Sequence, residues 1–256
     1  EIYSLENEHD QNIHFEGVFD IKKNTETCFK GGVISSVELL EIADTIAAAR
    51  KLKKTIINFE LRPQLSSLLE KLVDHVELEK ILKNGIENNG RISDRACPKL
   101  SELRKQLISI KNERRLILDK IIYKNSNYIQ DAIISERVGR PVLAIKVNFI
   151  NKFKGIIHDS SSSGNTIFIE PDAVVSKGNK IASCKAKIAN EEFKLLKSWS
   201  NLISENKETL FLLSDILLSI ENAHIRSRYS RWINGRPPKF VSDLNIQITG
   251  FTHPLL

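Results

Sequence analysis

The sequence is poor in the residues that characterise several large protein classes. Its 256 residues include three cysteines, two tryptophans and no methionine. Cys28, Cys97 and Cys184 are far apart and odd in number, and no CxxC or Cys/His spacing occurs. This predicts reduced thiols and argues against a disulfide framework or a zinc site. No apolar run approaches the ~20 residues that cross a bilayer, so we expect no membrane partner.

The sequence also lacks a phosphate-binding loop of the form Gly-x-x-x-x-Gly-Lys-Ser/Thr. We therefore expect neither a bound cofactor nor ATP hydrolysis within these 256 residues. No signal peptide is recognisable, and the chain begins with Glu1 rather than Met, which indicates a piece of a longer protein.

A catalytic triad is suggested by His158 and Asp159 beside four serines, Ser160 to Ser163. Neighbouring residues of a strand point to opposite faces, so His158 and Asp159 are poorly placed to orient one another. We interpret Asp159 and the serines as turn residues that bond local amides. Glu170 is interpreted as a capping carboxylate at a strand end, and we expect no catalytic residue in this chain.

The charge that is present is positive and unevenly placed. Residues 1–100 carry 14 basic and 17 acidic side chains, whereas residues 101–256 carry 24 and 15. A basic half predicts an anionic partner, and nucleic acid is favoured over a membrane surface because no amphipathic helix with an aromatic anchor stands out. A solvated basic face without a partner is the alternative.

Long helical patterns dominate the chain. Ser35 and Glu38 form a capping box for a helix to about residue 57, and Pro63 starts a second helix whose apolar face runs to Val76. The clearest pattern covers residues 99–135, with an apolar three-four spacing typical of a coiled-coil seam. Such a helix of about 37 residues would span roughly 55 Å, so part of it is expected to project. Asp172 can cap a returning helix, and another runs from about 207 to 233.

A short β element interrupts these helices. Residues 143–149 alternate as a strand does, 155–159 and 166–169 give two more, and 160–165 form a tight turn. Residues 243–249 also alternate. The predicted fold is therefore mainly α with a small antiparallel β insertion: a helical bundle with a long two-helix antiparallel arm that carries a β tip.

Several stretches follow an unusual order. Residues 92–100 read Ile-Ser-Asp-Arg-Ala-Cys-Pro-Lys-Leu, and 155–171 combine Gly-Ile-Ile-His-Asp with Ser-Gly-Asn-Thr-Ile-Phe-Ile-Glu-Pro. Other distinctive positions are Phe19 to Ile21, the Gly31-Gly32 pair, Tyr128, Gln130, Asp131, Arg137, Gly139, Arg140 and His253 to Leu256.

This order resembles the MutS family over essentially the whole chain. The similar subfamily is the second one, whose members lack the mismatch-reading N-terminal domain and are linked to the suppression of recombination. Two positions depart from its pattern: Cys97, where Ser is usual, and Pro141, where an aromatic residue is frequent.

The resemblance implies three regions: a first part of a helical core or lever (1–125), a clamp with the β tip (126–178), and a returning arm helix with the second core part (179–256), which ends at an ATPase boundary. The longer protein would be a homodimer with an ATPase that uses ATP and Mg, often with an Smr nuclease domain. Its expected location is the bacterial cytoplasm or a plastid.

The resemblance also implies that the clamp tip contacts duplex or branched DNA without reading its sequence. The candidate DNA-binding residues are Arg137, Arg140, Lys146, Lys152, Lys154, Ser161, Ser162 and Ser163, as backbone contacts that add affinity through counterion release. Two alternatives stay open. The arm could grip ribosomal RNA on collided ribosomes, or the helical seam could serve as a coiled-coil dimerisation scaffold.

Overall fold

The structure is a computed structural model that describes residues 1–8, 13–56, 62–236, 238–242 and 246–250. Within these residues the chain is mainly α-helical, with one small antiparallel sheet, as the sequence predicted. The chain divides into two compact units, and each is described by itself. Unit 1 comprises residues 1–91 and 196–256, and unit 2 comprises residues 92–195. The predicted boundaries after residues 125 and 178 remain predictions.

Unit 1 is a set of helices. They are α1 (Ile2–Glu8), α2 (Lys22–Phe29), α3 (Ser36–Thr55), α4 (Pro63–Leu69), α5 (Val76–Gly85) and α8 (Lys207–Trp232). The predicted capping box of α3 is confirmed: Ser35 Oγ accepts from the Glu38 amide at 3.3 Å, and the Ser35 amide donates to Glu38 Oε2 at 2.7 Å. The apolar sides of α3 and α8 supply fully buried residues such as Leu39, Ile42, Leu210 and Ile220.

Two expectations for unit 1 need correction. The single helix from Pro63 through Val76 is wrong, because α4 ends at Leu69 and His75 takes a left-handed φ of 42° before α5 begins. Residues 246–249, the described part of the segment 243–249 whose alternation is typical of a strand, do not form one. The matched positions His253 to Leu256 lie outside the described residues.

Unit 2 places a four-stranded sheet between two long helices. Its elements are α6 (Pro98–Lys124), β1 (Ile129–Arg137), β2 (Arg140–Lys146), a 3-10 helix (Val147–Lys152), β3 (Gly155–Ser160), β4 (Thr166–Pro171) and the start of α7 (Asp172–Glu205). The strand order is β1-β2-β4-β3, and all neighbours are antiparallel. Leu143 lies opposite Ile169, which in turn lies opposite Ile157.

The long helix is shorter than its apolar spacing predicted. It ends at Lys124 rather than at residue 135, and residues 129–137 form the edge strand β1. The segment Asn125-Ser126-Asn127 explains the change, because these short polar side chains compete for backbone hydrogen bonds. Strand β2 ends at Lys146 rather than at residue 149, because the 3-10 helix begins at Val147. Strands β3 and β4 lie close to their predicted positions.

The sheet shares a core with the end of α6 and the start of α7. Leu118, Ile129, Leu143, Ile169 and Val174 are each at most 4% exposed and form one cluster. Apolar residues of the last turns of α6 pack against this cluster. They are Ile117, Ile121 and Ile122. The sheet is thereby fixed to the helix pair by a continuous apolar core, which makes unit 2 a coherent body.

Helices α6 and α7 run antiparallel, as predicted for the two-helix arm. Lys99 Nζ lies 2.9 Å from Glu191 Oε1, Cys184 donates to the Leu103 carbonyl at 3.3 Å, and Lys177 pairs with Glu113. Residue numbers rise along α6 as they fall along α7, and Leu100 and Leu103 are buried. The apolar seam of α6 is therefore engaged within one chain. Nowhere in the described ranges is a helix both long and apolar enough to cross a membrane.

Candidate nucleic-acid interface

The positive charge of the chain is concentrated in unit 2. Residues 92–195 contain 19 Lys and Arg against 11 Asp and Glu, a net charge of +8. The remaining residues contain 19 basic and 21 acidic side chains, a net charge of −2. The unit that carries the sheet is thus the one suited to a polyanion, since an uneven charge of this kind attracts phosphate groups over a long range.

Two candidate lysines lie beside an aromatic pair, where α6 leads into β1. Lys152 Nζ lies 4.2 Å from the centre of the Tyr128 ring and 3.0 Å from its hydroxyl. The rings of Tyr128 and Phe149 are 4.9 Å apart. Lys146 Nζ donates to the carbonyl of Asn127 at 3.1 Å. The two ammonium groups therefore contact the neighbouring residues Asn127 and Tyr128 of the turn after α6, and both remain partly exposed.

Arg137 and Lys154 have different surroundings. The guanidinium of Arg137 lies 4.2 Å from the centre of the Phe168 ring and forms an ion pair with Asp159 at 3.4 Å, so part of its charge is balanced. Lys154, between the 3-10 helix and β3, is exposed and makes no salt bridge to any described residue. It is the least constrained candidate cation of the sheet.

The serine turn joins β3 to β4. Ser161 Oγ accepts from the Thr166 amide at 3.1 Å and lies 3.3 Å from Ser163 Oγ, and Gly164, with φ of 71°, donates its amide to the Ser161 carbonyl. Ser161 therefore holds the turn, as the sequence interpretation had it. Ser162 and Ser163 are exposed at its tip.

Arg140 is turned toward a buried carboxylate. Glu170 is 1% exposed; its Oε1 lies 3.4 Å from Arg140 Nη1 and its Oε2 lies 3.1 Å from His158 Nε2. Arg140 Nη2 also donates to Asn179 Oδ1 on α7 at 2.8 Å. The interpretation of Glu170 as a capping carboxylate is wrong, because its carboxylate is the centre of this network. An acidic residue in an otherwise apolar strand was the signal that could have revealed it.

The network also separates His158 from Asp159. His158 faces Glu170, whereas Asp159 accepts from the Ser160 amide at 2.8 Å and pairs with Arg137. A bulge in β3 lies at this point. His158 and Asp159 thus have different partners, and Asp159 does not orient the His158 ring. In the part of the chain that the structure describes, no cluster of His, Cys, Asp or Glu is arranged to bind a metal ion.

The fold and the surface together define a basic, mainly α-helical protein with a small antiparallel sheet inserted between two long helices. No family model matches the chain. Named relatives do match it. A protein named Endonuclease MutS2 from Synechocystis sp. is 34% identical over 258 residues, which cover 100% of this chain. Proteins of the same name from Halalkalibacterium halodurans and Symbiobacterium thermophilum are 34% and 30% identical over 94% and 95% of it.

The chain therefore belongs to the MutS family, with MutS2 proteins as its relatives over nearly its whole length. It spans 31–32% of the length of these curated relatives. The predicted family is confirmed.

Proposed function

We propose that unit 2 is a clamp that grips duplex or branched DNA by its phosphate backbone. In this proposal the chain is the lever and clamp segment of a MutS-like dimeric ATPase that acts on recombining DNA and suppresses recombination. ATP and Mg would bind elsewhere in the longer protein. The relatives are named as endonucleases, and that name supports a nucleic-acid partner for this chain.

The observation that carries this proposal is the net charge of +8 on unit 2. Lys146 and Lys152 place two of these charges beside Asn127 and Tyr128, Lys154 places a third directly before β3, and Arg137 adds a fourth that Asp159 partly balances. Ammonium groups on flexible stems neutralise phosphates without reading bases, and the exposed hydroxyls of Ser162 and Ser163 can donate to phosphate oxygens. The surface thus suits affinity without sequence specificity.

Arg140 has a different part in this proposal. Its guanidinium is held by Glu170 and Asn179, so it fixes the sheet against α7 rather than reaching a phosphate. The phosphate contacts are assigned to Arg137, Lys146, Lys152, Lys154 and the exposed serines.

The test is a salt series on DNA binding by the 256-residue chain. The variant Lys146→Gln/Lys152→Gln/Lys154→Gln should bind duplex DNA at least about tenfold more weakly near 0.1 M salt, and the slope of log K against log salt should fall by about 2–3. The matched control is Lys51→Gln/Lys54→Gln/Lys71→Gln, which removes three exposed lysines from unit 1. Equal slopes for the two triple variants would refute the assignment of this surface.

The same variants separate DNA from ribosomal RNA as the partner. We expect the chain to bind a four-way DNA junction more tightly than it binds purified ribosomes at equal salt. Tighter binding to ribosomes, lost in the Lys146/Lys152/Lys154 variant, would keep the surface but replace its partner.

A further inference from the structure

We propose that the DNA contact extends from the sheet along one side of the α6–α7 pair. The contact is made by Lys120 and Lys124 of α6 with Lys180 and Lys187 of α7, here called the lysine stripe. This inference rests on the proposed function, since it assigns a second surface to the same partner.

The ion pairs between α6 and α7 define two sides of the helix pair. Glu113 of α6 pairs with Lys177 of α7, whereas Arg104 of α6 pairs with Glu192 of α7. Arg104 and Glu113 are nine residues apart, which is two and a half helical turns. The two ion pairs therefore lie on opposite sides of the pair, and each side can be followed by adding whole turns.

The lysine stripe lies on the Glu113 side. Lys120 and Lys124 follow Glu113 by seven and eleven residues, close to two and three turns, and Lys187 follows Lys180 by seven. Lys177 and, more weakly, Lys180 hold the pKa of Glu113 below its ordinary value, which places Lys180 near this carboxylate. Four lysines of two helices thus share one side.

The four charges of the stripe exceed that of the one carboxylate on the same side, Glu102, that forms no salt bridge to a described residue. On the same side, Glu191 pairs with both Lys99 and Lys194, and Glu113 pairs with Lys177. Glu102 accepts from Gln106 Nε2 at 2.9 Å. All four stripe lysines are exposed, and none makes a salt bridge within the described ranges. The local charge is therefore available to a mobile or bound anion.

The length and course of the stripe suit a duplex. Lys187 lies ten residues beyond Lys177, and Lys124 lies eleven beyond Glu113, which together give about 30 Å at 1.5 Å per residue. Duplex DNA of that length covers about nine base pairs and carries one charge per ~1.7 Å. The stripe ends at Lys124, three residues before Asn127, where Lys146 is held. A row of cations about 30 Å long that leads toward Lys146 favours an extended polyanion.

The test compares two triple variants of the 256-residue chain on a duplex of about 30 base pairs. In Lys120→Gln/Lys180→Gln/Lys187→Gln the slope of log K against log salt should fall by about 2–3, with affinity about tenfold lower near 0.1 M salt. The control Lys111→Gln/Arg115→Gln/Lys185→Gln removes the same charge from the opposite side of the same helices, since Lys111 follows Arg104 by seven residues and Lys185 precedes Glu192 by seven. The control should lose less than one unit of slope.

Three further outcomes decide the inference. Replacing the same three lysines by Arg keeps the charge and should retain the full slope; a loss there would overturn a role based on charge. If Lys146→Gln/Lys152→Gln/Lys154→Gln weakens binding while the stripe variant equals its opposite-side control, the stripe is refuted and the proposed function stands. If neither triple variant weakens binding, both proposals fail.

Discussion

The carboxylate of Glu170 lies 3.1 Å from Nε2 of His158, and the Glu170 side chain is 1% exposed. The two residues stand on neighbouring strands, β4 and β3, at the point where β4 passes into α7. Arg140 of β2 completes the group from the other side of β4. One buried carboxylate thus connects three strands, and Asn179 extends the connection to α7.

Removing this buried charge should destabilise unit 2. We predict that Glu170→Gln lowers the free energy of unfolding by about 2–3 kcal/mol, because Arg140 then remains close to a site that offers it no counter-charge. The value is set at the low end because a third of the Arg140 side chain is exposed. Urea unfolding followed by circular dichroism measures the change. Glu136→Gln, at an exposed position of β1, is the control and should shift stability by less than about 0.5 kcal/mol.

The edge strand β3 depends on a glycine for its approach to β4. A Cβ at Gly155 would stand 2.3 Å from the carbonyl oxygen of Glu170 and 2.7 Å from Ile169 Cγ2. The first of these atoms belongs to the backbone, so it cannot rotate away. We predict that Gly155→Ala costs about 1–3 kcal/mol by displacing β3. Ser160→Ala at the exposed end of the same strand should be close to neutral, and equal melting temperatures for the two variants would contradict this account.

The sequence predicted the parts of this fold that depend on local signals. Ser35 and Glu38 predicted the start of α3, and the apolar spacing from residue 99 onward predicted α6. The end of α6 was missed because the isoleucines at 129, 133 and 134 fit a helical period as well as a strand. His75 was missed because a left-handed residue is set by its tertiary surroundings and has no reliable sequence signal.

The candidate surface was predictable to a similar degree. The excess of Lys and Arg after residue 100 is visible in the sequence, and it locates the basic unit. Which cations are free depends on partners distant in the chain: Arg140 finds Glu170 thirty residues later, and Lys177 finds Glu113 sixty-four residues earlier. Such pairings follow from the antiparallel packing and cannot be deduced from composition.

A close contact between α5 and α7 gives a test of packing in unit 1. A Cβ at Gly85 would lie 2.5 Å from Cζ2 of Trp199, which is 6% exposed. Ala normally stabilises a helix by about 1 kcal/mol relative to Gly, yet here we predict that Gly85→Ala destabilises by about 1–3 kcal/mol. Thermal unfolding with Trp fluorescence measures it.

A double-mutant cycle separates this contact from helix propensity. Trp199→Phe removes the part of the indole ring that a Gly85→Ala methyl would meet, at the cost of a smaller core side chain. We predict that Gly85→Ala costs less in the Trp199→Phe background than in the native chain, with a coupling of about 1 kcal/mol. Additive effects of the two substitutions would show that the methyl group and the indole do not meet.

The last prediction concerns pH and the imidazole of His75. Burial lowers the pKa of His75 below 6.5, although the nearby charge of Asp74 acts in the opposite direction. Its Nε2 atom is buried without a hydrogen-bond partner among the described residues. The unfolded chain therefore takes up a proton at a higher pH than the folded chain does, so stability should fall as the pH drops below about 6.5.

The measurement is the free energy of unfolding in urea at a series of pH values between about 7.5 and 5.5. His75→Asn removes the titrating group and keeps a residue that tolerates the φ of 42°, so its stability should decline less steeply over this range. His14→Asn, at an exposed position, is the control for the exchange of histidine for asparagine itself. A native chain whose stability rises on acidification from 6.5 would contradict the assigned direction of the shift.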